Sequence, residues 1–338
     1  MNTTRRAIKK VKVLGYPFAG GQPKGGVELT PTWLQNQTWF KDLAASRRMP
    51  VEYEEIAVSS PHSNAVNPDK QADGPEAGDH VDAKNIDHVI ASSEQLRNQT
   101  YKALQDGFYP IVLGGDHSQA IGSVAGFKKM FNEQGKIIWM DAHIDANTPM
   151  SSPSRNAHGM PLAYLSGIVP MHKHWNCVDI EKDLCYFGIR SYEDDEVALI
   201  KEKEVLVFDS AYCTPDKINS IDRDINQYFN HVAGETKYWI SFDIDGVDSK
   251  HFMSTGTDEG NGLSLDFMNT FFERYIPKTV GMDFTEVNFE LTEGLQRQRD
   301  EQTFKDLFEH ICHQVNQPAI EEDILAMSDA EEKSRFRF

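Results

Sequence analysis

Cysteine is scarce and unpatterned in this 338-residue chain: the four cysteines are Cys177, Cys185, Cys213 and Cys312, and no two stand at C-x-x-C spacing. That fits free thiols in a reducing compartment better than a disulfide framework or a zinc knuckle, and makes the cytoplasm the expected location. Long apolar runs are missing too. No stretch of about 18 apolar residues occurs, so no membrane span is expected. The basic segment 1–10 leads into no apolar h-region, so no secretory signal is expected. Positive charge is in short supply, with 34 Lys and Arg against 52 Asp and Glu, a formal net charge of −18. Such a chain repels nucleic acid and anionic lipid, and neither is expected as a partner. It could attract a cationic small molecule, although net charge speaks first to solubility.

What is present suffices for a folded core, since 39 % of the residues are apolar. Short apolar runs rich in β-branched residues, at 11–16, 109–113, 136–140, 184–189, 205–208, 238–242 and 279–284, read as strands. Between them 87–107, 119–134, 194–203, 215–232 and 264–275 read as helices. Strands separated by helices of that length form βαβ units. The expected fold class is therefore α/β, a single-domain three-layer fold with a central, mostly parallel sheet flanked by helices. No repeat or composition break divides the chain, so residues 1–316 are expected to form one domain, followed by a polar tail, 317–338. Residues 59–80, polar and rich in Pro, Gly and Asp, read as a long surface loop. The tail ends in Arg335-Phe336-Arg337-Phe338 and could be frayed or could dock on a neighbouring subunit.

Three of the expected strands run straight into polar groups at their carboxyl ends, where parallel α/β folds gather ligands. Strand 109–113 meets Gly114-Gly115-Asp116-His117-Ser118. Strand 136–140 meets Asp141, His143, Asp145 and Asn147, and strand 238–242 meets Asp243 and Asp245. On an extended chain, residues at i, i+2 and i+4 project to one side, about 6.5–7 Å apart per step. Asp141, His143 and Asp145 can then point at one site, as can Asp243 and Asp245. With His117 the set is two imidazoles and four carboxylates, enough for two divalent cations if some carboxylates bridge. A lone Asp at a strand end is usually a helix cap, but three such clusters are hard to explain as capping, and four bare buried carboxylates repel one another. Nitrogen and oxygen ligands without thiolates favour manganese, cobalt or iron over structural zinc, and ligand type does not choose among the three. His172 and His174, an i, i+2 pair without acidic partners at ligand spacing, read as surface-loop residues, and Cys185, inside an apolar strand, as core.

At these residues the chain resembles the arginase (ureohydrolase) family over nearly its whole length. The segments that carry the resemblance are Gly114–Ser118, Asp141–Asp145 and Ser241–Asp248. Within the family, the run from Pro17 to Glu28 and the stretches Asn147-Thr148-Pro149 and 154–162 are similar to arginases rather than agmatinases, and some later segments resemble bacterial arginases of the Helicobacter type. The resemblance implies hydrolysis of L-arginine to L-ornithine and urea by a hydroxide bridging two metal ions. It implies one ion on His117, Asp141, Asp145 and Asp243, and the other on His143, Asp141, Asp243 and Asp245. It places Asn147, Ser154 and Asn156 at the substrate α-carboxylate, Glu193 near the α-amino group, Glu286 on the guanidinium, and Thr257 along the site. His158 would shuttle protons or protonate the leaving amine. It also implies a homo-oligomer, a trimer or hexamer.

The residue types suit that chemistry independently. A guanidinium is a poor electrophile, and two metal ions lower the pKa of a water between them to supply hydroxide. Asp145 could orient that hydroxide and accept its proton. A carboxylate such as Glu286 grips a planar guanidinium by paired charged hydrogen bonds, and a histidine titrating near neutrality can protonate a leaving amine. Two departures touch specificity: Glu193 stands where the family has a shorter Asp, and Arg155 replaces a usual Gly. They keep alternatives open, namely a related ureohydrolase acting on agmatine, a guanidino acid or formiminoglutamate, or an arginase-like binding protein without turnover.

Overall fold

In a computed structural model the chain is described over residues 9–46, 50–58, 82–170, 175–232 and 234–319, together with the backbone of 336–337. The elements run β1 (Val11–Gly15), α1 (Thr30–Asn36), α2 (Thr38–Ala45), β2 (Val51–Glu55), α3 (Ile86–Gln105), β3 (Tyr109–Leu113), α4 (Ala120–Phe131), β4 (Gly135–Met140), α5 (Pro161–Ser166) and α6 (Ile180–Asp183). They continue with β5 (Leu184–Phe187), α7 (Asp194–Glu202), β6 (Leu206–Phe208), α8 (Ile218–Tyr228), β7 (Lys237–Asp243), α9 (Leu265–Tyr275), β8 (Thr279–Thr285), α10 (Gly294–Gln314) and β9 (Phe336–Arg337). The strands form one parallel sheet in the order β2-β1-β3-β8-β7-β4-β5-β6-β9. This is the three-layer α/β fold expected from the sequence.

Successive side chains of a strand face opposite sides of its sheet, and both sides are covered here. In β4, Ile138 and Met140 enter one core with α9 and α10, while Ile137 and Trp139 enter the other with α3 and α4. That double burial is why the strands read as near-continuous apolar runs rather than alternating ones.

Several expected elements end elsewhere. The helix read at 119–134 stops at Phe131, and Asn132–Gln134 tightens into a 3-10 turn before β4. The helix read at 215–232 shortens to α8, preceded by a 3-10 turn at Pro215–Lys217. The sequence reading lacks β2, β9 and the helices α1, α2, α5, α6 and α10. Three of the five residues of β2 are Glu, because it is an exposed edge strand whose pairing lies on one side only. Cys185 is buried as expected. The loop at 59–80, His172 and His174 lie outside the described residues. Of the tail, the described part is 317–319 and β9, whose backbone pairs with β6 at Val207↔Phe336 and Phe208↔Arg337.

Candidate metal centre

Four neighbouring strands, β3, β8, β7 and β4, deliver the polar side chains to one place. After β3 the chain turns through Gly114 and Gly115, at φ 92° and 87°, backbone that side chains disfavour. A Cβ on Gly115 would stand 2.9 Å from the Phe18 carbonyl oxygen, so the turn accepts only glycine there. Asp116 then caps the next turn, accepting from Ser118 N at 3.0 Å and from Gly21 N at 2.8 Å, and His117 follows. Asp141 leaves β4 directly, and Asp243 ends β7.

Asp145 and Asp245 arrive by a different route from the extended alternation that the sequence suggests. Asp145 takes a left-handed backbone, φ 57°, and Asp245 sits in the 3-10 turn Ile244–Gly246, its N–H donating to Asp243 Oδ1 at 2.9 Å. Both bends pull the later carboxylate back over the strand end. A left-handed non-glycine residue is a local cost that recurs at functional sites, and Glu286, at φ 61° just past β8, shares it.

The six side chains converge. His117 Nδ1 lies 3.0 Å from Asp141 Oδ2, 2.9 Å from Asp145 Oδ2 and 3.3 Å from Asp243 Oδ2. His143 Nδ1 lies 3.4 Å from Asp141 Oδ1 and 3.2 Å from Asp245 Oδ2. His117, Asp141 and Asp145 could hold one ion, and Asp141, His143 and Asp245 a second, so Asp141 reaches both. Asp243 stands against His117. His117 Nδ1 is buried and has no hydrogen-bond partner, although three carboxylate oxygens surround it. A lone pair facing a ring of anionic oxygens is what a cation would complete, so the donor set fits the divalent pair.

The electrostatics carry the same sign. Burial drives the Asp141 carboxyl upward, yet His117 and His143 hold it far below the usual range. Asp145 is pushed up to about 6, first by burial and then by Asp141. Asp243 is pushed well above the ordinary value by burial, then by Asp245 and Asp141. The protein supplies more negative charge here than its two imidazoles can neutralise.

Beside the cluster, Glu286 Oε1 accepts from His117 N at 2.9 Å and contacts His158 Nδ1 at 3.1 Å, while Oε2 accepts from Gln22 Nε2 at 2.6 Å. Burial opposes a charge on His158, but Glu286 outweighs it and raises His158 to about 9. Burial likewise opposes charge on Glu286, which His158 nonetheless holds below the usual range. Thr257 Oγ1 donates to Asp245 Oδ2 at 2.6 Å. Further out, Asn147 Nδ2 donates to Glu193 Oε2 at 2.8 Å. Ser154 contacts Ser152 Oγ at 3.2 Å and accepts from Asn156 N at 3.3 Å, in a loop where Arg155 takes φ 54°. Ser154 and Asn156 thus close their own loop, and Asn147 and Glu193 form a separate pair.

Sequence reasoning gave no role to Glu196. Its carboxyl is buried beneath Glu193, accepting from Ala146 N at 2.9 Å and Glu193 N at 3.2 Å. Burial and then the hydrogen bond to Glu193 push it up to about 9, and the retained proton helps keep Glu193 ionised. Gln22 and Arg190 were also missed. The Arg190 guanidinium clamps the carbonyls of Asp245, at 2.6 Å, and Glu259, at 2.8 Å, behind the metal loop. Each is a long polar side chain whose partners are brought to it by folding, which no local spacing reports.

A profile of the arginase family matches residues 9–302. The chain is 32 % identical to the arginase of Emericella nidulans over 291 residues, covering 82 % of this chain and 86 % of that protein. It is 30 % identical to human arginase-1 over 293 residues, covering 83 % and 85 %. The crystal structure of Entamoeba histolytica arginase with L-ornithine superposes with a TM-score of 0.70 at 27 % identity, covering 89 % of this chain and 99 % of that one. Bacillus subtilis arginase superposes with a TM-score of 0.73 at 26 % identity, covering 90 % and 98 %.

Proposed function

This chain belongs to the arginase family, and from that premise we propose that it hydrolyses L-arginine to L-ornithine and urea at a centre for two divalent metal ions. The observation that carries the reading is the convergence of two imidazoles and four carboxylates, with Asp141 in reach of both imidazoles. His117, Asp141, Asp145 and Asp243 would hold one ion, and His143, Asp141, Asp243 and Asp245 the other. When bound, the pair acidifies a water so that hydroxide is available at neutral pH.

The rest of the chemistry belongs to the protein. Glu286 receives the guanidinium: among the described residues Oε2 accepts from Gln22 alone, so lone pairs remain for N–H groups of the substrate. A guanidinium there displaces His158 from Oε1 and turns it toward the departing nitrogen. His158, which Glu286 raises to about 9 in the metal-free, substrate-free site, would carry a proton to the departing amine. Asp145, beside the place where the ions would sit, would orient the attacking water and accept its proton. Asn147, Ser154 and Asn156 would meet the α-carboxylate, Glu193 the α-amino group, and Thr257 steadies Asp245.

A second reading keeps the chemistry and changes the substrate. Glu193 is already tied to Asn147, so an α-amino group must compete for it, and a substrate lacking one binds without that cost. Assay of L-arginine, agmatine and guanidino acids, each with Mn2+ and with Co2+, separates the two; hydrolysis of a guanidino acid, which lacks the α-amino group, or of agmatine with arginine untouched would sink the arginine assignment. Mn2+ is the expected ion and Co2+ the alternative. A homotrimer or hexamer is the expected assembly, readable by light scattering. Cytoplasmic residence is the expected location, supported by four free thiols. No helix among the described residues is long and apolar enough to cross a membrane.

A further inference from the structure

Behind His117, away from the carboxylate cluster, lies a second buried carboxylate that the chemistry above leaves unused. Asp283 is fully buried in the middle of β8. Its Oδ1 accepts from Ser241 Oγ at 2.6 Å; its Oδ2 accepts from Trp239 Nε1 at 2.8 Å and Ser123 Oγ at 2.6 Å. Ser241 is its register partner across β7 and β8 and also touches His117 Nε2 at 3.0 Å. Trp239 is paired with Gly281, whose missing side chain makes room for the indole: a Cβ there would stand 2.5 Å from the ring. The backbone is thus shaped to keep this donor on Asp283.

A hydroxyl has one proton. Because Ser241 spends its proton on the carboxylate, it must accept from His117, which fixes the imidazole proton on Nε2 and leaves the Nδ1 lone pair toward the metal centre. The opposite face of the ring is held by Trp139, stacked at 4.4 Å, whose own Nε1 donates to Asp141 Oδ2 at 3.0 Å. We propose that Asp283 is a positioning residue for the metal centre, acting through Ser241 to lock His117 in the tautomer that can bind an ion. This rests on the two-ion reading above.

The donor set also dictates what a near-isosteric change does. In Asp283→Asn the amide NH2 cannot face Trp239, whose indole N–H has no acceptor to offer, so it must face Ser241. Ser241 then accepts from the amide and offers its own proton to His117 Nε2, the reverse of the native direction. The wrong tautomer is thereby favoured with little change in volume.

The test is titration of metal-free wild type, Asp283→Asn, Ser241→Ala and Ser123→Ala with Co2+ against a competing chelator, with proton NMR of the loaded proteins. Loss of an outer partner of a metal-bound histidine weakens affinity by about 10- to 100-fold. That rise in Kd is expected for Asp283→Asn and Ser241→Ala, together with loss or fast exchange of the hyperfine-shifted N–H signal of His117. Ser123→Ala removes a donor without reversing the relay and is expected to stay within about twofold of wild type. Should Asp283→Asn fail to fold, Ser241→Ala carries the test alone. Unchanged Kd and an unchanged N–H signal in the folded variants would overturn the relay while leaving the two-ion reading intact; a wild-type protein that bound no Co2+ would overturn both.

Discussion

Glu286 and His158 do opposite jobs with a single contact between them, 3.1 Å long. Each holds the other charged in the substrate-free site, so removing either should be read on both partners. Glu286→Gln keeps an acceptor for the backbone N–H of His117 but loses the charge that faces the guanidinium. Charge-assisted bonds contribute about 1.5–3 kcal/mol each, so kcat/KM for L-arginine is expected to fall by about a hundredfold. A variant within twofold of wild type would remove Glu286 from substrate binding. His158→Asn should lower kcat by about 10²- to 10⁴-fold, the usual range for a lost general acid. His158 also makes a stability prediction. Its pKa in the folded, metal-free protein is raised from 6.5 to about 9, so its contribution is fully present below pH 6.5 and is lost as the pH rises through about 9. Denaturant midpoints of chelated wild type are therefore expected to fall across that window more steeply than those of His158→Asn; parallel curves would contradict the pairing.

At the scale of elements, the loops at the strand ends matter more than the strands themselves. Gly115 is the clearest lever. Its φ of 87° and its 2.9 Å clearance to the Phe18 carbonyl make Gly115→Ala strained as well as crowded. A cost of about 1–3 kcal/mol is expected in the denaturant midpoint. Metal affinity should fall too, because His117 leaves the same turn two residues later. The strands were legible because most are short apolar runs, and the polar residues at the ends of three of them pointed to the place where the side chains converge. The last turns were not. Asp145 and Asp245 reach the cluster through a left-handed residue and a 3-10 turn, whereas alternation alone would carry them along the strand direction. α10 shows a signal present but submerged: Phe304, Leu307, Phe308 and Ile311 fall at helical spacing among polar neighbours and are all buried. β2 gives weaker notice, since an exposed edge strand of Glu residues has only one face to declare.

Across the whole molecule, the chain carries a net charge of −18, and its parallel sheet gathers buried acid at the carboxyl ends of its central strands. Metal binding should therefore stabilise the fold as a whole. A ligand bound only by the native state adds about 2.7 kcal/mol at a hundred times its Kd. Chelation is accordingly expected to lower Tm by several degrees and to make it depend on ion concentration; a Tm indifferent to chelator would deny the centre any ion. The fold class, the family and the six side chains that converge at the strand ends were readable from short segments because they rest on residue type at strand ends. Gln22, Ser241, Glu196 and Asp283 received no role from sequence, since each acts through partners brought to it by folding; Asp283 and Ser241 lie 42 positions apart and meet only as register partners. Metal content and product formation in one sample test the central claim most directly. Protein reconstituted with Mn2+ or Co2+, freed of excess ion and given L-arginine should carry about two ions per chain and release urea and ornithine in equal amounts. Metal-bound protein that releases neither product from L-arginine would contradict the account.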